Sequence, residues 1–190
     1  MKKYVLALGL FCLIAGSLQA QKQNLTPGIK GGLNVADLSG LNGDNRISGH
    51  IGFFLNSKLN KNWAIQPEIL YSGQGQQYNV AFNEEHTVAL SYIQVPIMFQ
   101  FYPTKPFYLE FGPQIGFLIS ANDKDGDDKI EVDNQYKKAD VGLSLGAGYQ
   151  ITQLLGFYGR YNAGLTDITK HNSVEFQNRV AQLGLYIKFK

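Results

Sequence analysis

The chain has 190 residues, a formal net charge of +2 and 17% charged side chains, against 13% aromatics and 21 glycines. That length allows one domain, or two small ones, with a buried core. A charge content well below the globular average of about 25%, together with so many Tyr, Phe and Gly, excludes a disordered chain, and the near balance of sign excludes a strongly basic nucleic-acid binder.

The first element is a leader. Lys2 and Lys3 precede an apolar run from Val5 to Ala15, and Leu18-Gln19-Ala20 supplies small-residue cleavage chemistry. The run is shorter than the roughly 20 residues a spanning helix needs, so residues 1–20 read as a cleaved signal peptide and 21–190 as the mature domain. Cys12, the single cysteine, would leave with the leader. The remaining 170 residues carry 15 basic and 15 acidic side chains and no disulfide. An exported chain without disulfides needs another source of stability.

After the leader no apolar run reaches helix-spanning length, and the apolar residues alternate instead. Eight sets follow in order. They are Ile29 to Val35, Ile51 to Leu55, Trp63 to Tyr71, Ile93 to Phe101, Phe107 to Ile119, Val141 to Tyr149, Leu155 to Leu165 and Ala181 to Phe189. Successive strand residues point to opposite faces, so each set lines one face of a strand. A tilted strand crosses a bilayer in about 9 to 11 residues, which these runs supply.

The opposite face carries Lys30, Asn34, His50, Asn56, Gln66, Glu68, Gln94, Gln100, Glu110, Gln114, Ser144, Arg160, Asn162, Gln182 and Lys188, interleaved with glycines. No charge falls on the apolar face. An Arg or Lys at the lipid-facing midplane of a barrel costs about 2–4 kcal/mol, whereas an inward one finds partners. The pattern therefore predicts an all-β fold, an eight-stranded antiparallel up-and-down transmembrane β-barrel with polar residues inside. A soluble lipocalin-like carrier of an apolar ligand is the inverse reading.

The connections 37–46, 59–62, 73–87, 103–106, 121–139, 152–154 and 167–178 alternate long and short. Antiparallel neighbours joined in order put the long loops at one end and the short turns at the other, as in outer-membrane barrels. Trp63, Phe101, Tyr102, Phe107, Tyr149, Phe157 and Phe189 gather beside the short turns, as in an interfacial girdle. Pro67, Pro96 and Pro113 fall inside strand runs, where each removes a ladder donor, so bulges or broken pairing are expected there.

The segments GIKGGLN (28–34), QPEILYSGQG (66–75), SYIQVPIMFQFYP (91–103), YLEFGPQIGFL (108–118), GLSLGAGYQI (142–151) and RYNAGLTDI (160–168) together resemble the PorT-type outer-membrane β-barrel family, small barrels related in shape to OmpA/OmpX-type domains. The resemblance spans nearly all of the mature chain. It implies an outer-membrane location, the lipid bilayer and the insertion machinery as partners, and little about activity, although one member of that family belongs to a protein-secretion apparatus. Such barrels often end on an aromatic residue, whereas here Lys190 follows Phe189.

Among candidate sites, Lys30, Glu68, Glu110, Arg160 and Lys188 share the inward face. An interior of eight strands is only wide enough for side chains, so a paired network filling the lumen is expected rather than an ion path. The acidic loop 121–133 superficially fits a calcium loop. With Gly126 at position 6, however, Ala121 and Val132 stand where ligands are needed, so no metal is expected. His86, Ser91 and Glu84 or Glu85 are the nearest approach to a hydrolase constellation, without a nucleophile-elbow motif. Gly142, Gly146 and Gly148 precede a strand, whereas a dinucleotide site requires a helix there. The sequence thus predicts a non-enzymatic membrane barrel without cofactor or nucleic-acid partner, acting structurally or through its long loops.

Overall fold

The computed structural model of the chain describes residues 25–39, 43–80, 84–125, 128–170 and 176–189. The signal peptide expected over 1–20 lies outside them.

Alternating residues build nine strands. They are β1 (Leu25–Ser39), β2 (Asp44–Lys58), β3 (Trp63–Val80), β4 (Glu84–Phe101), β5 (Phe107–Asp125), a short β6 (Asp128–Glu131), β7 (Ala139–Gln150), β8 (Leu155–Gly164) and β9 (Gln177–Lys188). Neighbours pair antiparallel in chain order. β6 pairs only with the far end of β5, while β5 itself continues to β7. β9 returns to β1, Gly28 opposite Lys188 and Ser39 opposite Gln177, so eight staves close without a free edge.

Apolar rows face outward. Phe53, Leu145, Leu183 and Ile51 are each about two-thirds exposed, while all fifteen polar residues of the opposite face are buried. A lipocalin-like carrier requires the reverse. No helix among the described residues is long and apolar enough to cross a membrane.

The strands outrun their apolar stretches. Three of the predicted long loops, 37–46, 73–87 and the first part of 121–139, are largely strand, with β3 and β4 laddered from Trp63/Phe101 out to Val80/Glu84. Hydropathic alternation ends where the lipid ends, but backbone pairing does not depend on lipid and continues into water. The short turns fall at 59–62, 102–106 and 151–154. Asn60 forms the first, its Oδ1 accepting from the amides of Asn62 and Trp63, both at 2.9 Å.

The prolines interrupt pairing without shifting register. Pairing of β3 with β4 skips from Pro67/Ile97 to Leu70/Gln94, and that of β4 with β5 skips from Pro96/Gln114 to Phe99/Phe111. Pro113 sits opposite Leu143 in an unbroken ladder. The register shifts lie elsewhere, between Asn45 and His50 and at Ser91/Tyr92. At the first of these, side chains replace the ladder. Ser48 Oγ donates to Gly73 O at 2.7 Å, Asn34 Nδ2 to Gly73 O at 2.7 Å, and Arg46 to Gln74 O.

Fewer of the expected aromatics gather on the outer wall than the sequence suggested. Trp63 lies 5.0 Å from Phe101, and Tyr149 5.8 Å from Phe157, centroid to centroid, on the outer wall. Tyr102 turns inward instead, its hydroxyl donating to Gln100 Oε1 at 2.8 Å.

Candidate functional site

Parity sends Lys30 of β1, Glu68 of β3, Glu110 of β5 and Arg160 of β8 to the barrel axis, where they meet. Arg160 donates from both terminal nitrogens to Glu68, Nη1 to Oε2 at 2.9 Å and Nη2 to Oε1 at 2.8 Å, and from Nε to Glu110 Oε1 at 2.8 Å. Lys30 Nζ completes the cluster on Glu68 Oε1 at 3.1 Å. Two acids and two bases balance with no net charge, and the planar guanidinium fork suits the bidentate carboxylate.

Amides satisfy the remaining carboxylate positions. Gln66 Nε2 donates to Glu68 at 2.8 Å and Gln100 Nε2 to Glu110 at 3.0 Å, and Asn56 Nδ2 ties these glutamines together at 3.0 and 2.8 Å. Lys188, the fifth inward charge, lies apart from the cluster. It is buried near the short-turn mouth, and among the described residues its ammonium meets Gln150 Oε1, at 3.4 Å, and the Tyr186 ring.

Lys30 Nζ also stands 3.8 Å from the centroid of the Tyr158 ring, a cation–π contact in the buried interior. The Tyr158 hydroxyl bonds His50 Nε2, and His50 Nδ1 lies 2.6 Å from Asn34 Oδ1. Asn34 spends its amide protons on Ser72 and Gly73, so its oxygen accepts, the proton sits on His50 Nδ1, and Nε2 accepts from Tyr158. Beyond these come Ser144 with Gln114 and Asn162, then Asp140 held by Asn178 and Thr166.

A tyrosine layer closes the short-turn side. Phe54, Tyr108, Tyr158 and Tyr186 each lie directly across from a glycine on the neighbouring strand, Gly28, Gly148, Gly184 and Gly156 respectively. A Cβ on Gly148 would stand 2.2 Å from the Tyr108 ring, and one on Gly156 2.3 Å from that of Tyr186. Glycine is required here because the ring occupies the space of a side chain. The sequence reading made room for polar residues with these glycines and missed the rings. Their even positions, on the parity of Glu68 and Arg160, were the available signal.

At the long-loop end a second apolar cluster forms from Leu38, Val88, Leu90, Tyr92, Ala121, Tyr136 and Ile168. The segments after β6 and after β8 fold over it. Tyr136 bridges to Thr169, Lys137 N donates to Ile168 O at 2.7 Å, and Lys170 N to Gln135 O at 3.0 Å. Asp167 is the pin of this cover. Its carboxylate accepts from Lys137 Nζ at 2.7 Å, the Thr169 hydroxyl at 2.8 Å and the amides of Phe176 and Thr169 at 3.0 and 3.1 Å.

The Lys137 bond, followed by these amides, holds the Asp167 carboxyl well below the usual carboxylate range. A depressed native value stabilises the fold fully above the ordinary value near about 4 and loses that contribution only as pH falls through the native one. Asp167→Ala is expected to raise amide exchange at Ile168, Thr169 and Phe176 by about tenfold with the wall unchanged, read by hydrogen-exchange mass spectrometry. In the native chain the same amides should stay protected at pH 4.

The remaining candidates separate. His86 and Ser91 sit five positions apart on β4, on opposite faces and about 17 Å along the strand. His86 stacks on Tyr78 at 5.5 Å and faces Asp123 at 3.6 Å, whereas Ser91 Oγ meets the Tyr71 hydroxyl at 3.1 Å. Of the acidic loop, Gly126 and Asp127 lie outside the described residues. Asp133 accepts from the Ala121 amide, and Asp123 from Tyr78. No cluster of His, Cys, Asp and Glu suited to a metal occurs among the described residues.

No curated protein sequence matches the chain significantly. Solved structures do. Neisserial surface protein A superposes with a TM-score of 0.54 at 13% identity, over 87% of this chain and 97% of that one. Ail, the attachment invasion locus protein of Yersinia pestis, in complex with the heparin analogue sucrose octasulfate, superposes at 0.51 and 12% identity, over 88% and 100%. Both likenesses bear on the fold alone. The family model described as the outer membrane protein beta-barrel domain matches residues 19–170. With a closed eight-stranded wall, apolar outside and polar within, the chain belongs to the outer membrane protein beta-barrel domain family.

Proposed function

We propose that the protein is a non-enzymatic outer-membrane barrel that conducts nothing and works through the surface of its long-loop end. The lumen carries this reading. From the tyrosine layer through the Lys30–Glu68–Arg160–Glu110 cluster to the Asp140 layer, side chains bonded to one another occupy the axis, and the apolar cover folds across its far mouth. In this reading the ion cluster is structural, residues 1–20 are removed on export, the insertion machinery folds residues 21–190, and both chain ends and the short turns stand in the periplasm.

The four long segments expected outside, 37–46, 73–87, 121–139 and 167–178, hold twelve acids and six bases. Ail was solved with a polyanion; an acidic face of this kind repels one, so a neutral or cationic surface partner suits this chain better. The PorT-type segments favour a second reading, an accessory component of a protein-secretion apparatus, which would appear as a stable complex with other envelope proteins.

Planar-bilayer recording on the refolded protein tests the first reading. No unitary currents are expected at any voltage the membrane withstands. Steady, protein-dependent openings would replace the sealed barrel with a channel.

A further inference from the structure

Charge is distributed unevenly between the two ends. Among the described residues, every carboxylate except Glu68 and Glu110 lies toward the long-loop end, and those two are engaged by Arg160 and Lys30. The segments that form the short-turn end, 54–66, 98–109, 147–158 and 185–189, contain no Asp or Glu, yet they carry Lys58, Lys61, Lys105 and Lys188. The fold gathers most of these. A cavity of about 730 Å³ opens at the short-turn end, lined by Lys58, Lys61, Trp63, Tyr102, Lys105 and Gln150 among others.

Behind Gln150 sits Lys188, 9% exposed, with no carboxylate partner among the described residues. A buried ammonium held by one long amide contact and the Tyr186 ring, 5.5 Å away, lacks the counter-charge that its burial calls for. Lys58 and Lys188 both lie at inward positions of their strands, on either side of β1, so their charges converge on the mouth. The lysines of the first two turns are exposed.

We propose that this mouth is a binding site for an acidic peptide segment of a periplasmic partner. Two features favour a peptide over a phospholipid headgroup. The cavity volume lies in the range of sites that hold a drug-sized ligand, far larger than one phosphate requires. The lining intersperses amide side chains and a tyrosine among the lysines, donors and acceptors suited to a peptide backbone as well as its carboxylates. The site deepens the proposed function, on which it rests only for its compartment: with the short turns in the periplasm, the barrel would tether a soluble partner beneath the membrane.

The test uses the mature chain in phosphatidylcholine nanodiscs and fluorescein-labelled tetraglutamate, followed by anisotropy. Saturable binding is expected, weakening as salt rises. The exposed-lysine variant K58Q/K61Q/K105Q is expected to weaken it about tenfold, while K124Q/K138Q at the opposite end leaves it unchanged. Tetralysine should not bind. Absence of saturable tetraglutamate binding, or equal loss in both variants, overturns the site. Displacement of the peptide by phosphatidylglycerol in the discs, with that lipid retained on the native protein but not on the triple variant, makes the mouth a headgroup site and overturns the peptide assignment. Binding in discs is blind to cellular orientation and to conductance, so this site and the sealed-barrel reading fail separately.

Discussion

Arg160→Leu is expected to cost the barrel about 3–5 kcal/mol, the range for removing one partner of a buried ion group. The guanidinium makes three charge-assisted hydrogen bonds to two carboxylates that have no water to turn to. Without it Glu110 keeps only the Gln100 amide, and Glu68 keeps Lys30 and Gln66. The result should appear as a large drop in the urea concentration at which the compact, heat-modifiable gel band disappears from protein in vesicles. Lys30→Met with Glu68→Gln removes one charge of each sign and leaves Arg160 on Glu110; that pair is expected to cost less than the sum of its single changes. An Arg160→Leu barrel within about 1 kcal/mol of the parent would sink the cluster as a stabilising unit.

Leu145→Arg is expected to cost about 2–4 kcal/mol in a bilayer. Leu145 is 67% exposed near the middle of β7, opposite Phe111 on one side and Tyr161 on the other, at the depth where a cation finds neither water nor headgroup. The same change on a protein surrounded by water would be nearly silent, as exposed surface substitutions are. Insertion into preformed vesicles, scored by the folded band, should therefore fall sharply for Leu145→Arg. It should barely change for Lys61→Arg at the short-turn rim. Equal insertion of both would place the apolar face out of contact with lipid.

The wall was legible in the sequence because lipid imposes a period of two on every stave. Leu145, Phe53 and Leu183 declare themselves by alternation, and Glu68 and Arg160 by falling on the other parity. Three things were hidden. The ladder beyond the lipid has no hydropathic signature, so Gln74 to Val80 read as loop although they pair with β4. The partners of the inward charges depend on the register of non-adjacent staves, so Lys188 was grouped with a cluster from which the structure holds it apart. The cover over the long-loop end rests on Asp167, whose backbone partners Thr169 and Phe176 lie up to 9 residues away, outside the alternating runs. Prolines were legible as a problem but not in its resolution: the pairing opens locally and the register runs on.

Closure between the first and last staves sets the order of events during biogenesis. Asn34 on β1 receives its bond from Gln182 on β9, 148 residues later in the chain. An intermediate that still lacks β9 cannot finish the cylinder, because its first strand waits for that partner. A chain truncated before Gln177 leaves β1 and β8 each with an unsatisfied edge in a solvent that offers no hydrogen bonds. A sealed seam and an open one therefore differ at the twelve residues of β9, Gln177–Lys188.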